Sequence, residues 1–275
     1  MMIYIGPAGV PITAKDASTI GGLRRVAELE LNAMEVEFVW GVNMSREMAK
    51  KVREEAQRLG IKLSVHCPYF VNLCSTESAK LEASKKRILL SADRAHLMGA
   101  DIVVFHPGFY GKLSPEQALE KVAEACLDLR RKMKEVGIED VRLGLETTGK
   151  QSTFGTLEEI LEVCRRVEGC VPVVDWAHLY ARLGRQVNWA EVFTKVKGFK
   201  HLHTHFTGVE VKEIGLGRGE EKRHVEITEQ SPPFEPLGEE ILRSGMDITI
   251  ISESPMLERD ALLMKEFFEK KGVKF

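Results

Sequence analysis

The chain has 275 residues, 44% of them hydrophobic and 29% charged, an ordinary globular composition with enough length for one sizeable core. Its formal charge of −2 excludes a broadly basic protein, so any nucleic-acid contact has to come from a local patch. Five cysteines, odd in number and without a CxxC, exclude a disulfide scaffold or zinc knuckle and point to a reducing, cytoplasmic setting.

In chain order, residues 2–6 read as a strand and residues 17–30 as a helix behind an Asp16 cap. The opening Met-Met-Ile-Tyr-Ile-Gly-Pro lacks the features of a signal peptide, and no run along the chain nears the roughly 18 apolar residues of a membrane span. Residues 33–39 alternate as a strand, and Ser45 caps a helix that closes at Gly60. A third strand at 62–66 precedes a long helix over 75–97, and a fourth at 102–106 precedes a helix opened by Ser114-Pro115-Glu116. Strands follow at 142–146, 172–175, 200–206 and 248–252, with helices at 156–166, 188–195, 235–243 and 257–271.

Eight near-continuous apolar strands alternating with helices, undivided by any linker or internal repeat, predict a single-domain (β/α)8 TIM barrel over 1–275. An open doubly wound sheet is disfavoured because no GxGxxG follows the first strand. In a parallel barrel all strand C-termini meet on one rim. Six of these runs finish on His66, His106, Glu146, Asp175, His205 and Glu253, which the barrel therefore gathers around one pocket. A lone carboxylate at a strand tip is more often a structural residue than a ligand, and a lone histidine is structural about as often as it is a ligand; six together are hard to attribute to coincidence. Three imidazoles facing three carboxylates make a divalent-metal site, with zinc favoured and manganese as the alternative. His178, three residues after Asp175, and His224, with Glu221 beside it, enlarge the set to a cluster of two or three ions per chain. His201, His203 and His205 share one strand face. His205, nearest the strand end, is the favoured ligand; His203 is its competitor, or a substrate contact.

His66-Cys-Pro-Tyr-Phe-Val-Asn72, Phe105-His-Pro-Gly108, Leu145-Glu-Thr-Thr-Gly149, Val174-Asp-Trp-Ala-His178, the His203/His205 strand, Arg223-His224 and Ser252-Glu253 resemble, in order, the metal-binding motifs of the endonuclease IV family within the xylose-isomerase-like barrels. The resemblance implies a zinc-dependent endonuclease that cleaves the DNA phosphodiester 5′ to abasic sites in base excision repair. It implies one zinc on His66 and His106, a second on Asp175, His205 and Glu253, and Glu146 bridging the two; Glu146 and Glu253 would be the catalytic carboxylates. His178, His224 and Glu221 would hold the third zinc, although the family pattern is Asp-x-His and Lys222 stands two before His224 here. Tyr69 and Phe70 occupy the place of side chains that enter the DNA stack, and Arg223 joins Lys112, Lys150, Arg182, Arg185, Arg218 and Lys222 as a rim base able to meet phosphates. The family's Arg-Gln-Trp loop is replaced by Phe38-Val-Trp40-Gly-Val-Asn43. The expected assembly is a monomer acting on abasic DNA, with no membrane contact. The rival reading is a sugar isomerase or epimerase of the same barrel group, holding one metal on Glu146, Asp175, His205 and Glu253, with His203 against substrate. A non-catalytic damage-binding barrel is a third.

Overall fold

In the computed structural model, which describes residues 1–275, the chain runs β1 (Ile3–Pro7), α1 (Thr19–Glu28), β2 (Ala33–Glu37), α2 (Arg46–Leu59), β3 (Lys62–His66), α3 (Ser78–Met98) and β4 (Ile102–Phe105). A two-residue rim strand β5 (Gly108–Phe109) precedes α4 (Pro115–Glu135), β6 (Arg142–Glu146), a second rim strand β7 (Thr153–Phe154), α5 (Leu157–Arg166) and β8 (Cys170–Asp175). The remainder is α6 (Trp176–Arg182), α7 (Trp189–Val196), β9 (His201–Phe206), the pair β10 (Gly208–Gly215) and β11 (Arg218–Val225), α8 (Phe234–Ser244), β12 (Asp247–Ser252) and α9 (Glu258–Lys270).

Eight strands form one parallel sheet in the order β1-β12-β9-β8-β6-β4-β3-β2. Its two ends meet: Ala8 bridges Glu35 in parallel, and Gly9 N–H donates to the Glu35 carbonyl at 2.9 Å. Asn32 stitches the same seam from its side chain, accepting from Ile5 N–H at 2.7 Å and donating to the Ile3 carbonyl at 3.1 Å. The sheet is thus the closed barrel expected from the sequence. Helices cover its outside over an apolar core of 60 buried residues, while Ile102, Val104 and Val173 form a separate small cluster within the barrel. Period two along each strand puts successive lumen-facing residues in layers. Glu35 and His203 fall in the middle layer, and Glu37, His66, Glu146, Asp175 and His205 in the layer at the C-terminal rim.

Several helix starts follow their sequence signals. Ser114 and Gln117 make a reciprocal capping box with Pro115 in the first turn, and Thr156 and Glu159 make another. Asp16 is not the cap of α1. Its carboxylate instead accepts from the backbone N–H and hydroxyl of Ser18, and Ser18 takes the Gly21 N–H at 3.0 Å, so α1 starts at Thr19. No helix is long and apolar enough to cross a membrane.

Candidate metal centre

Glu146 ends β6 with no solvent exposure, and its two oxygens are divided among four imidazoles. Oε2 lies 3.0 Å from His66 Nε2 and 3.0 Å from His106 Nε2; Oε1 lies 3.2 Å from His205 Nδ1 and 3.4 Å from His178 Nδ1. Each histidine arrives there for a local reason. His66 is the last residue of β3, and His106 directly follows β4. The turn after His106 needs Gly108, with φ of 137°, because a Cβ there would sit 2.2 Å from Asn72 Oδ1, which accepts from Phe109 N–H at 3.2 Å. His178 follows Asp175 by three residues because Asp175 is the N-cap of α6, its Oδ1 accepting the His178 N–H at 2.6 Å. A cap and the third helical residue lie on the same side of the helix, so the short helix turns both toward the pocket.

The third set depends on the hairpin of β10 and β11. Val211 pairs with Glu221 but Glu210 pairs with Arg223, so Lys222 is an extra residue in the ladder, a β-bulge. In a regular strand residues three apart face opposite sides. The bulge cancels that, and Glu221 and His224 point the same way: Glu221 Oε2 is 3.2 Å from His178 Nε2 and its Oε1 is 3.5 Å from His224 Nε2. The hairpin comes close enough because residue 149 is glycine; a Cβ there would meet Glu221 Cβ and Oε2 at 2.8 Å.

At the rim the side chains thus fall into three adjoining groups: His66, His106 and Glu146; Glu146, Asp175, His205 and Glu253; and His178, Glu221 and His224; a fourth set, Glu35, His203 and His205, meets the same spacing one layer deeper. Within each group the candidate ligand atoms lie within 4.8 Å of one another. Ligands about 2.0–2.2 Å from one tetrahedral ion are themselves roughly 3.3–3.6 Å apart, so each group needs little adjustment to close on a cation. The donor set, five imidazoles and four carboxylates, suits zinc and admits manganese. Backbone carbonyls hold three of the rings: Nδ1–H of His66 faces the Cys67 carbonyl at 2.8 Å, that of His178 the Thr147 carbonyl at 2.9 Å and that of His224 the Glu253 carbonyl at 3.1 Å. That tautomer leaves Nε2 of each ring free for a ligand bond.

Electrostatics favour cations here. Burial alone would lower the His66 imidazole, but Glu37 and Glu146 outweigh it and push it up to about 10. His178 and His205 are likewise raised well above their ordinary value against burial, His178 by Asp175 and Glu146, His205 by Glu253 and Glu35. Burial raises Asp175 to about 6, with Glu253 and Glu146 adding to it, and Asp175 Oδ2 has no hydrogen-bond partner. Without cations, protons held on the imidazoles balance the ionised carboxylates. A metal ligand must shed its proton, so cation uptake near neutral pH should release protons, at least about one per ion, and apparent affinity should rise with pH. Calorimetric titration with Zn2+ in buffers of different ionisation enthalpy measures this, and heat independent of the buffer would contradict it.

These groups border a cavity of about 640 Å3 whose wall includes His66, His106, His178, Glu221, His224 and Glu253, with Tyr69, Phe109 and Lys150 toward the mouth. Phe70, next to Tyr69, is exposed but not on the cavity wall; it packs on Trp40 with centroids 6.0 Å apart. Other residues expected to meet substrate lie elsewhere. His203 is 3% exposed and sits beneath His205 rather than on the cavity wall, because it is two residues deeper on the same strand face. Arg223 and Lys222 both pair with Glu210 on the hairpin's outer side. Arg182 is buried and donates from Nη1 to the Thr153 carbonyl at 3.0 Å and Thr148 Oγ1 at 3.1 Å, pinning the loop that follows Glu146. Replacing Arg182 by Ala strands those acceptors and should cost about 3 kcal/mol of stability, measured by urea unfolding. A change below about 1 kcal/mol would show that solvent replaces it.

Two carboxylates escaped the sequence reading. Glu37, the last residue of β2, lines the cavity 4.0 Å from His66 Nδ1, and burial pushes it up to about 8. Glu35 lies one layer deeper. The signal was the alternation Ala33-Met-Glu-Val-Glu37. It resembles a strand with one wet face, but a barrel strand has none, and polar residues in its alternation face the lumen.

The fold and site define a closed parallel barrel whose C-terminal rim carries histidine and carboxylate clusters able to hold divalent cations. The chain belongs to the xylose isomerase-like TIM barrel family, whose sequence profile matches residues 23–270. It is 33% identical over 281 residues to an uncharacterized protein of Methanocaldococcus jannaschii, covering 98% of both chains. It is 28% identical to a probable endonuclease 4 of Mycoplasmopsis pulmonis, covering 74% of this chain and 73% of that one. The fold of a D-tagatose 3-epimerase-like protein superposes with a TM-score of 0.73 at 20% identity, covering 98% of this chain and 96% of the other.

Proposed function

We propose that this chain is a metal-dependent phosphodiesterase that cleaves DNA 5′ to abasic sites, acting as a monomer in the manner of endonuclease IV. The observation that carries the reading is the sharing of Glu146 between two ligand groups with a third group against it. A single-metal sugar epimerase needs Glu146, Asp175, His205 and Glu253, and would leave His66, His106, His178, Glu221 and His224 converging without a task. The sequence likeness to a probable endonuclease 4 over about three-quarters of the chain supports the same reading. Zinc ions bound to these groups would supply an acidified water and neutralise charge on a phosphate ester. Glu146 and Glu253 hold the ligand geometry around the reacting phosphate, and Lys150, exposed on the cavity wall, is placed to pair with a neighbouring one. Tyr69, 62% exposed at the mouth, and Phe70 beside it offer flat apolar faces to an unstacked nucleotide.

The epimerase reading keeps one specific support, the complete four-ligand group around Glu146 and Glu253. Elemental analysis together with cleavage of a duplex carrying a tetrahydrofuran abasic analogue separates the two. Two or three zinc ions and incision are expected. One Mn2+ or Co2+ per chain, with ketohexose epimerisation and no incision, would overturn the endonuclease reading; lesion binding without incision at full metal load would make the barrel a binding module.

A further inference from the structure

His205 differs from three other histidines of the centre in how its ring is held. His66, His178 and His224 each turn Nδ1 to a backbone carbonyl and Nε2 to the neighbouring carboxylate. His205 is reversed. Its Nδ1 faces the shared carboxylates, 3.2 Å from Glu146 Oε1 and 3.0 Å from Glu253 Oε1, and its Nε2 points down the barrel, 2.9 Å from Glu35 Oε1. Although they approach within 2.9 Å, neither His205 Nε2 nor Glu35 Oε1 has an aligned hydrogen-bond partner, so each is the nearest polar group the other can turn to, and both residues are fully buried. The second oxygen of Glu35 accepts from His203 Nε2 at 3.0 Å.

An imidazole that gives Nδ1 to a cation carries its proton on Nε2, and a buried N–H without an acceptor is strongly disfavoured. No backbone carbonyl is placed to take that proton; Glu35 is. We infer that Glu35 is a positioning residue of the cation centre: it receives the Nε2–H of His203 and of His205, and so keeps His205 in the tautomer whose Nδ1 can bind the metal shared with Glu146, Asp175 and Glu253. This rests on the proposed function only in taking that group as a cation site. The pairing also accounts for the doublets Glu35-x-Glu37 and His203-x-His205. In each, the upper member reaches the cavity or its ligand groups, and the lower member braces from the layer beneath. It gives His203 a task as well, since its N–H fixes the other carboxylate oxygen. A carboxylate suits the position because two N–H groups converge on it; an amide offers one acceptor and one donor, so Glu35→Gln must leave one ring mispaired or reverse its tautomer.

The test combines cation-affinity measurement with histidine NMR. Zn2+ titrations against a chromophoric chelator should show one ion of the set bound roughly 10- to 100-fold more weakly in Glu35→Gln, the usual effect of losing a ligand's outer hydrogen bond. The other ions should be unchanged within about twofold, and Glu35→Asp, which keeps both acceptors and the charge, should recover part of the loss. In zinc-loaded wild-type protein labelled with 15N-histidine, long-range 1H–15N spectra should show His205 protonated at Nε2 alone. That readout needs no variant, so a Glu35→Gln chain that fails to fold does not protect the inference. Unchanged affinity in Glu35→Gln, or a proton on Nδ1 of His205 in the loaded protein, would overturn it. So would a fourth cation in the wild-type chain, which would make Glu35, His203 and His205 a ligand set themselves. A wild-type chain that binds no cation would overturn the proposed function first and this inference with it; normal wild-type loading with an unaffected variant would overturn this inference alone.

Discussion

Glu146→Gln should abolish abasic-site incision, by at least about a thousandfold or roughly 4 kcal/mol of transition-state stabilisation, while circular dichroism shows an intact barrel. The substitution changes almost no volume. Its effect comes from position: the two oxygens stand within 3.0 to 3.4 Å of four imidazole nitrogens and belong to two of the three ligand groups. A carboxylate can donate to an ion from each oxygen at once. An amide has one such oxygen, and its NH2 group would face either imidazoles or a cation. Burial pushes the Glu146 carboxyl up, but His106 and His205 overcome that and hold it well below its ordinary value, so it is the ionised form that Gln replaces. The variant should therefore lose cations as well as rate, and elemental analysis should find at least one ion fewer per chain. Incision within about tenfold of wild type, or a full complement of ions, would mean that Glu146 is not the shared ligand.

How far that centre could be seen in the sequence follows from what a barrel imposes. Once eight strands run parallel, a polar residue at a strand end has one destination, and His66, Glu146 and Asp175 needed no further information. His106 and Glu253 stand one residue beyond their strands and reach the same rim. Glu35 and Glu37 were equally determined by that geometry but sat in an alternating strand, where period two looks like an ordinary wet face. The histidine strand showed three candidates on one face, and only depth in the barrel separates them: His205 at the ligand groups, His203 against Glu35, and His201 lower still, bonded to Thr249 Oγ1 at 2.8 Å. Side-chain charge was the least legible property. Arg182 reads as a rim base, yet it lies in the first helix turned off β8, where its guanidinium reaches the carbonyls of the loop after β6 and is buried. Arg223 and Lys222 read as phosphate contacts, but the hairpin that carries them is built from a mixed-charge segment with no clear strand periodicity, and their partner Glu210 is across that hairpin.

Exchanging two adjacent residues of that hairpin, Glu221→Lys with Lys222→Glu, should remove the third cation even though the swap restores an acidic residue two before His224. In a regular strand residues two apart share a face, and the swapped chain would be the better ligand set. Here the ladder advances by one residue on β10 while it advances by two on β11, and Lys222 is the residue left over. Its side chain turns outward to Glu210, where Arg223 also pairs. In the swapped chain the carboxylate carried at position 222 would point away from His178 and His224, and the ammonium carried at position 221 would stand against two imidazoles. One ion should be bound at least about 100-fold more weakly, with the ions shared by Glu146 retained, and incision should fall with it. Lys222→Ala is the control and should hold every ion, since that side chain reaches no ligand. Three tightly bound ions in the swapped chain would show that the hairpin can shed its bulge and re-register. Loss of an ion in Lys222→Ala would show instead that the pair with Glu210, rather than the bulge, aims Glu221 at the pocket.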